Sequence, residues 1–594
     1  MNTLNEQQQQ AVTAEDKKIL CLAGAGAGKT RTVIERISYL INEKHVSPHE
    51  ILAITFTRKA ANELKQRLDR TVGPAAVNVD AQTIHSFCLH MFYRFGDFLG
   101  FRNPRTITVY DPWEENYLLR HVAAVLGIYK NKKWIVPKKQ VSAAFERYYQ
   151  EGIEPDLNDK AYGLFVAFFR RCKENNALTY GEIVVLGSRL IPLCARYLPY
   201  LHIFLDEAQD TDRLQWKIIN ELHMFCDASL FAVGDPDQSI YSFRGAIPEY
   251  LIENQDSFKI IKLETNYRSS YQIVDTSNLL IQNNTGRLEK TMKAIKTLAD
   301  AEVRIVYNAD SAAMVKHLKH ASEHSAVLCR IHQPLNKLSE MLVQAGIQHD
   351  KVGARTEFVH SETFRRFNAF LKLMHNPYDN FSFLLVHDML DMTQEEYTGV
   401  RLRAVKESLS HFQAYTLMDD PEIKNSLFDW LHELSPLEIT EALISQWGPF
   451  YGCEALYDFV LEADVDEISD YLHFVATWDI QDEIEGPEED QDEENKLQLM
   501  TIHASKGLEF KTVYVIGCNE GILPHKNSLE QLEEERRCMY VAMTRAERRL
   551  YLCVRPTITE SADGGKDRVY DNPASRFVFE AHGIEETQKE AKSA

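Results

Sequence analysis

Several absences narrow this chain before any motif is read. No apolar run approaches the roughly 18 residues that cross a bilayer, so no membrane partner is expected. The opening residues, Met1 to Gln10, are polar and hold no hydrophobic signal region. The 10 cysteines never fall in CxxC spacing, which argues against a disulfide framework and against a zinc or iron–sulfur site. A reducing cytoplasm fits that usage. No segment repeats at a fixed short period. Net positive charge is also lacking: 66 Lys and Arg against 87 Asp and Glu leave −21. Spread evenly, that sum would argue against a nucleic-acid partner. Much of the excess sits in one stretch, Asp482 to Glu494, which is almost all Asp and Glu. It reads as a solvated linker, or as an acidic segment that competes for a basic groove.

What is present describes a multidomain globular protein. A chain of 594 residues with 44% hydrophobic and 26% charged residues exceeds one core, and the size prior gives roughly four domain-sized units. Ile19 to Ala23, Ile51 to Phe56, Ile203 to Leu205 and Leu230 to Val233 read as short buried strands. Helical spacing follows the first, with Val33, Ile37, Leu40 and Ile41 on one face. Alternating strands and helices predict a parallel sheet in an α/β core. Val303 to Val306, Ala326 to Cys329, Val513 to Ile516 and Leu550 to Val554 predict a second α/β core. Two mostly helical stretches interrupt these cores. The expected division is 1–88 and 197–255 for the first core and 89–196 for its insertion. The second core takes 256–374 and 495–585, its insertion with the acidic linker 375–494, and 586–594 is a polar tail.

The segment Ala23-Gly24-Ala25-Gly26-Ala27-Gly28-Lys29-Thr30 lies between a strand and a helix, where a phosphate-binding loop belongs. Small residues let backbone N–H groups approach phosphate oxygens, and the helix N-terminus adds its dipole. Lys29 is then placed for the β- and γ-phosphates, and the Thr30 hydroxyl for Mg²⁺. Ala23 stands where the usual pattern has Gly, and the loop alone also fits a Gly-rich turn. A second motif decides between these readings. Ile203-Phe204-Leu205 runs into Asp206-Glu207-Ala208-Gln209-Asp210. An acid pair at the end of a buried strand suits a magnesium ligand, Asp206, and a base for the attacking water, Glu207. Arginine fingers contribute roughly 10³–10⁵ in rate to such chemistry. Arg268 and Arg545 are candidates, although an arginine alone also fits a surface ion pair.

Together these segments closely resemble the UvrD/Rep/PcrA family of superfamily 1 DNA helicases, and nearly the whole chain carries the likeness. Leu4-Asn5-Glu6-Gln7-Gln8 resembles the Q motif. Thr55-Phe56-Thr57-Arg58-Lys59-Ala60-Ala61 and Thr83-Ile84-His85-Ser86-Phe87 resemble the DNA-contacting motifs of the first core. Asp206 to Asp210 is the DExQD box, and Val233 to Ala246 the third motif. Leu263 to Ser270, Met500 to Phe510, and Glu533 to Ala546 follow as the fourth, fifth and sixth. The resemblance implies two RecA-like P-loop NTPase cores, each with a mostly helical insertion, that use ATP and Mg²⁺.

The resemblance also implies residue roles. Gln8 reads adenine, and Tyr267 stacks on it opposite Arg31. Gln238 senses the γ-phosphate, Glu509 binds the ribose, and Arg268 and Arg545 reach the γ-phosphate from across the cleft. Phe56, His85, Tyr241, Phe243 and His503 are the implied DNA contacts, with Arg330 a weaker candidate. Aromatic faces stack with bases of any sequence, at roughly 1–3 kcal/mol per base. Arg244 either couples the ATP and DNA sites or pairs with an acid. The expected activity is an ATP-dependent helicase moving 3′-to-5′ on single-stranded and 3′-tailed duplex DNA, in repair, replication or recombination. The alternative is a DNA-stimulated translocase subunit of a larger repair or anti-phage complex that does not unwind duplex by itself, so a protein partner is also carried as an expectation. Three departures bear on this. Phe243 stands where the family usually has Trp, and the insertion between the fourth and fifth motifs is short. The short polar stretch after Phe579 predicts no nuclease domain.

Overall fold

The runs read as strands lack any alternation, and Ile19-Leu20-Cys21-Leu22-Ala23 is wholly buried. Such strands need cover on both faces, which a parallel sheet between helix layers provides. The computed structural model describes residues 4–101, 103–298, 300–319, 321, 324–351, 358–390, 392–417, 434–447, 453–478, 497–555, 557–561 and 567–583. The acidic stretch 482–494 and the tail 586–594 lie outside the described residues.

The first sheet has six parallel strands in the order Lys259–Leu263, Lys18–Ala23, Ser229–Gly234, His202–Leu205, Ile51–Thr55 and Asp80–Thr83. The second, also six-stranded and parallel, runs Glu302–Val306, Ala546–Cys553, Phe510–Ile516, Ser325–Cys329, Leu497–Thr501 and His349–Lys351. All eight expected strands are present within a few residues. The four additional ones carry weaker signals. Asp80–Thr83 and Lys259–Leu263 are edge strands in which buried and more exposed residues are mixed. Their place is set by pairing with Leu52–Thr55 and Ile19–Ala23. Lys259–Leu263 completes the first sheet, so that core runs past the expected boundary at 255.

The first insertion shares its core with one face of the first sheet. Phe145, Phe165, Phe168 and Tyr148 belong to the same apolar cluster as Leu20, Ile203 and Leu230. The second insertion has its own cluster, including Phe364, Phe370, Val400, Leu456 and Tyr471. Helix Glu362–His375 supplies several of those residues, so by packing the helical unit begins before the expected 375.

The two insertions meet through buried polar groups. Lys372 Nζ donates to Glu114 at 2.5 Å, and both side chains are buried. Asp379 accepts from the Tyr110 hydroxyl at 2.6 Å and the Thr108 hydroxyl at 2.9 Å. Asn376 donates to the carbonyls of Asn175 and Asn176, each at 2.9 Å. Satisfied networks of this kind fix one geometry, because each unpaired member would carry its full desolvation cost.

Candidate nucleotide and nucleic-acid site

Strand order brings the first site together. Lys18–Ala23, Ser229–Gly234 and His202–Leu205 are neighbours, so the segments after their C-terminal ends converge on one edge, where open parallel sheets bind ligands. Ala23 is still part of its strand, paired with Leu263. Extended backbone accepts any residue, so the departure from Gly costs nothing there. Gly is required later in the loop. Gly26 has φ 68°, and a Cβ there would lie 2.7 Å from Arg268 Cβ and 2.9 Å from Asn266 Nδ2. Gly28, with φ 79°, caps helix Lys29–Asn42, and the first N–H groups of a helix lack intrahelical partners and suit phosphate oxygens.

Lys29 Nζ lies 2.8 Å from the Glu207 carboxylate, joining the loop to the acid pair. Glu207 takes left-handed backbone, φ 47° and ψ 44°, an uncommon conformation for a non-glycine residue that clusters at functional sites. Its carboxylate also accepts from Gln209 Nε2 at 2.6 Å. Burial pushes the Asp206 carboxyl up, reinforced by the Glu207 charge. Burial acts the same way on Glu207, but Lys29 and Lys506 outweigh it and hold that carboxyl low. The acid pair is thereby split into one group that stays ionised and one that ionises readily only beside added positive charge. Thr30 and Asp206 line one small cavity of about 30 Å³. A hydroxyl and a carboxylate are hard oxygen donors that suit Mg²⁺, which takes one or two protein groups and completes its shell with phosphate and water. No cluster of three His, Cys, Asp or Glu suited to a metal occurs among the described residues.

The second core supplies the opposite wall. Arg268 Nε donates to Glu509 at 2.6 Å, so the implied ribose ligand here steadies an implied finger. Arg545 is 3% exposed and donates to the carbonyls of Val541 and Leu508, each at 3.1 Å. Burial, then the Arg268 charge, pulls its guanidinium down to about 9, against the opposing pull of Glu207. Tyr267 lies beside the loop, its N–H donating to the Gly26 carbonyl at 2.9 Å and its hydroxyl accepting from Asn5 at 2.7 Å. Gln8 is buried, and its Nε2 donates to the Ala27 carbonyl at 3.2 Å, so it braces the loop. Arg31 is half-buried in the first turn of the loop helix. Gln238 is buried and donates to Asp235 at 2.6 Å.

Other residues join the cores without having been singled out. Within the first core, Gln209 links Glu207 to Asp235 by accepting from the Asp235 N–H at 2.8 Å. Its signal was its place inside the acidic box. Lys290 donates to Asp235 at 2.5 Å and also meets Asp237, which Arg287 reaches at 2.7 Å. Lys506 pairs with the buried Asp210, and Arg537 donates to the Ser239 carbonyl at 2.9 Å. Nothing in local sequence pattern identified these partners, which are 50 to 298 residues apart.

The implied DNA residues divide into two groups. Phe56, Tyr241, Phe243 and His503 form one aromatic group, and Phe56 stacks on Tyr241 with centroids 5.2 Å apart. Phe243 is 67% exposed, whereas Tyr241 is 1% exposed and donates its hydroxyl to the His503 carbonyl. Tyr241 therefore lies beneath Phe56 and supports it from below. Arg330 makes a two-pronged pair with the buried Glu535, at 2.9 and 3.1 Å. His503 is held neutral, pushed down to about 3 by burial and the charges of Arg330, Lys506 and Arg244. His85 stacks on Tyr180 at 4.4 Å, and Arg244 lies over the rings of Tyr241 and Phe243. Helix Ile468–Thr477 of the second insertion rests on this side. Arg58 donates to the Phe474 carbonyl at 3.0 Å, and His473 and Ser86 share a 2.8 Å hydrogen bond.

Comparison with known proteins agrees with this arrangement. Residues 4–259 match the UvrD/REP helicase N-terminal domain, and residues 261–420 and 453–556 match the UvrD-like helicase C-terminal domain. The ATP-dependent DNA helicase PcrA of Bacillus subtilis is 29% identical, over 98% of this chain and 86% of its own length. The proteins of that name from Staphylococcus epidermidis and Staphylococcus aureus are each 28% identical over 93% of this chain and 83% of theirs. With both halves matched and a phosphate loop facing two arginines of a second core, the chain belongs to the UvrD/Rep/PcrA-like family of superfamily 1 ATP-dependent DNA helicases.

Proposed function

We propose that this helicase moves 3′-to-5′ along single-stranded DNA and opens 3′-tailed duplexes, with MgATP hydrolysed between its two cores. One observation carries the reading: Lys29 and Glu207 of the first core face Arg268 and Arg545 of the second. Lys29 and the loop N–H groups bind the phosphates, Thr30 and Asp206 hold Mg²⁺, and Glu207 orients and deprotonates water. Arg268 and Arg545 stabilise charge on the transferred phosphoryl group. ATP recruits Lys29 and Arg268 away from Glu207 and Glu509, drawing the cores together. Hydrolysis releases them, and alternating grip at Phe56, His85, Phe243 and His503 becomes movement. Repair or replication in the cytoplasm suits such an activity, and the free cysteines suit a reducing compartment.

Strand displacement with ATP and Mg²⁺ on duplexes carrying a 3′ or a 5′ tail tests polarity. Displacement from the 5′ tail alone overturns it. A second reading is a translocase subunit that unwinds only within a larger complex. It is favoured by helix Ile468–Thr477, which lies against Arg58 and Ser86 at the expected strand path. DNA-stimulated ATPase with no displacement from either substrate selects it.

A further inference from the structure

A second cleft lies between the two helical insertions, and none of its lining residues belongs to the ATP or strand-facing motifs. Trp113 and Tyr117 stand one turn apart on helix Pro112–Val125, with ring centroids 5.5 Å apart. They are 36% and 42% exposed. Opposite them, helix Glu362–His375 presents Arg365 and Arg366, and Leu384, Leu385 and His387 complete a space of about 400 Å³. The Arg365 guanidinium lies over the Trp113 ring at 4.6 Å, and its Nε is buried with no hydrogen-bond partner among the described residues. Glu362 also lines the cleft, but Arg366 pairs with it at 3.0 Å.

The surroundings extend the same chemistry. His387 stacks on Tyr397 at 4.1 Å, and Arg401 lies over Tyr397. Burial, then the charges of Arg401 and Arg171, pushes His411 down to about 4. The same two arginines act on His121 of helix Pro112–Val125, after burial. Arg171 and Arg401 thus add positive charge beside the cleft in a chain of net charge −21. Partly exposed aromatic rings beside guanidinium groups match alternating bases and phosphates, the pattern of sequence-tolerant single-strand binding.

We propose that this cleft binds a second segment of single-stranded nucleic acid, the strand not threaded between the two cores, by stacking bases on Trp113 and Tyr117 and seating phosphates against Arg365 and Arg366. It rests on the helicase reading, since unwinding is what produces that strand.

The test compares labelled oligothymidylates binding to the full chain: one long enough only for the groove between the cores, and one much longer. A Trp113→Ala/Tyr117→Ala double variant should lose at least about thirtyfold in affinity for the long oligomer, the effect of losing two stacked bases. Its affinity for the short oligomer and the ATPase that oligomer stimulates should not change. Trp113→Phe with Tyr117 intact should recover most of the long-oligomer affinity, which separates stacking from a folding defect. Unchanged long-oligomer affinity in the double variant overturns the proposal. A loss confined to blunt duplex overturns the single-strand assignment. Absence of stimulated ATPase in the wild type instead overturns the motor reading, while the two oligomers still report on the cleft.

Discussion

Lys29 Nζ sits 2.8 Å from the Glu207 carboxylate, so the cation proposed to bind phosphate and the proposed base for water are paired with each other. Each group neutralises the other in a partly buried setting, and phosphate binding requires exchanging one anion for another. The pair therefore ties nucleotide arrival to release of the base. Glu207→Gln should keep ATP affinity within a few-fold and lower kcat by roughly 10²–10⁴, the range for general bases. Lys29→Ala should weaken binding and lower kcat together. Steady-state ATPase assays with single-stranded DNA, beside nucleotide binding, separate the two. A Glu207→Gln protein with normal kcat removes this residue from the chemistry.

Phe243 and Tyr241 should respond in opposite ways. Phe243 is largely exposed, so Phe243→Ala should leave thermal stability almost unchanged while weakening single-stranded DNA binding by roughly 1–3 kcal/mol. Tyr241 is buried beneath Phe56, so Tyr241→Ala should cost about 3–5 kcal/mol of stability, as for large aromatic truncations in cores. Melting curves read beside DNA titrations decide it. Equal effects of both variants on stability would contradict the division of the aromatic group.

The Lys372–Glu114 pair holds the insertions to each other. Removing Lys372 leaves the buried Glu114 carboxyl, already pushed up to about 7, to take up a proton and lose its partner, so Lys372→Met should destabilise by about 1–3 kcal/mol. Combining it with Glu114→Leu should recover much of that loss, because apolar replacement of both partners is often neutral. Chemical denaturation of the two variants and the wild type provides the comparison. Single and double variants of equal stability would mean the pair contributes no coupling.

A pH dependence follows from Glu182. Burial pushes its carboxyl from the ordinary 4.5 up to about 8. Between those values the folded chain holds the proton more tightly than the unfolded chain does. The associated stability is complete below pH 4.5 and is lost as pH rises through about 8. Glu182→Gln keeps the neutral hydrogen-bonding form throughout. Relative to wild type its stability should rise with pH, by on the order of 5 kcal/mol across the window. Glu114 and Glu115 are also raised, to about 7, so the wild-type slope has several sources and the difference between proteins isolates Glu182. Parallel melting profiles of the two proteins between pH 5 and pH 9 would rule it out.

The sequence by itself determined the features encoded locally. Continuous apolar runs marked the inner strands, because a parallel strand buried on both faces needs no polar alternation. The Gly26 to Thr30 loop and the Asp206-Glu207 pair were legible, because phosphate and magnesium chemistry needs particular residues at short spacing. Tertiary structure alone decided which side chains face one another across hundreds of residues. Edge strands such as Lys259–Leu263 have a mixed pattern, and their position comes from a neighbour's hydrogen bonds. Tyr241 and Phe243 are two residues apart in one motif, yet packing buries the first and exposes the second. Arg330 was drawn inward by Glu535, and Lys372 found Glu114, because burying a charge requires a partner wherever the chain supplies one. Trp113 and Arg365 had no motif to mark them. Their cleft exists because two insertions, each shaped by its own apolar cluster, come to rest side by side.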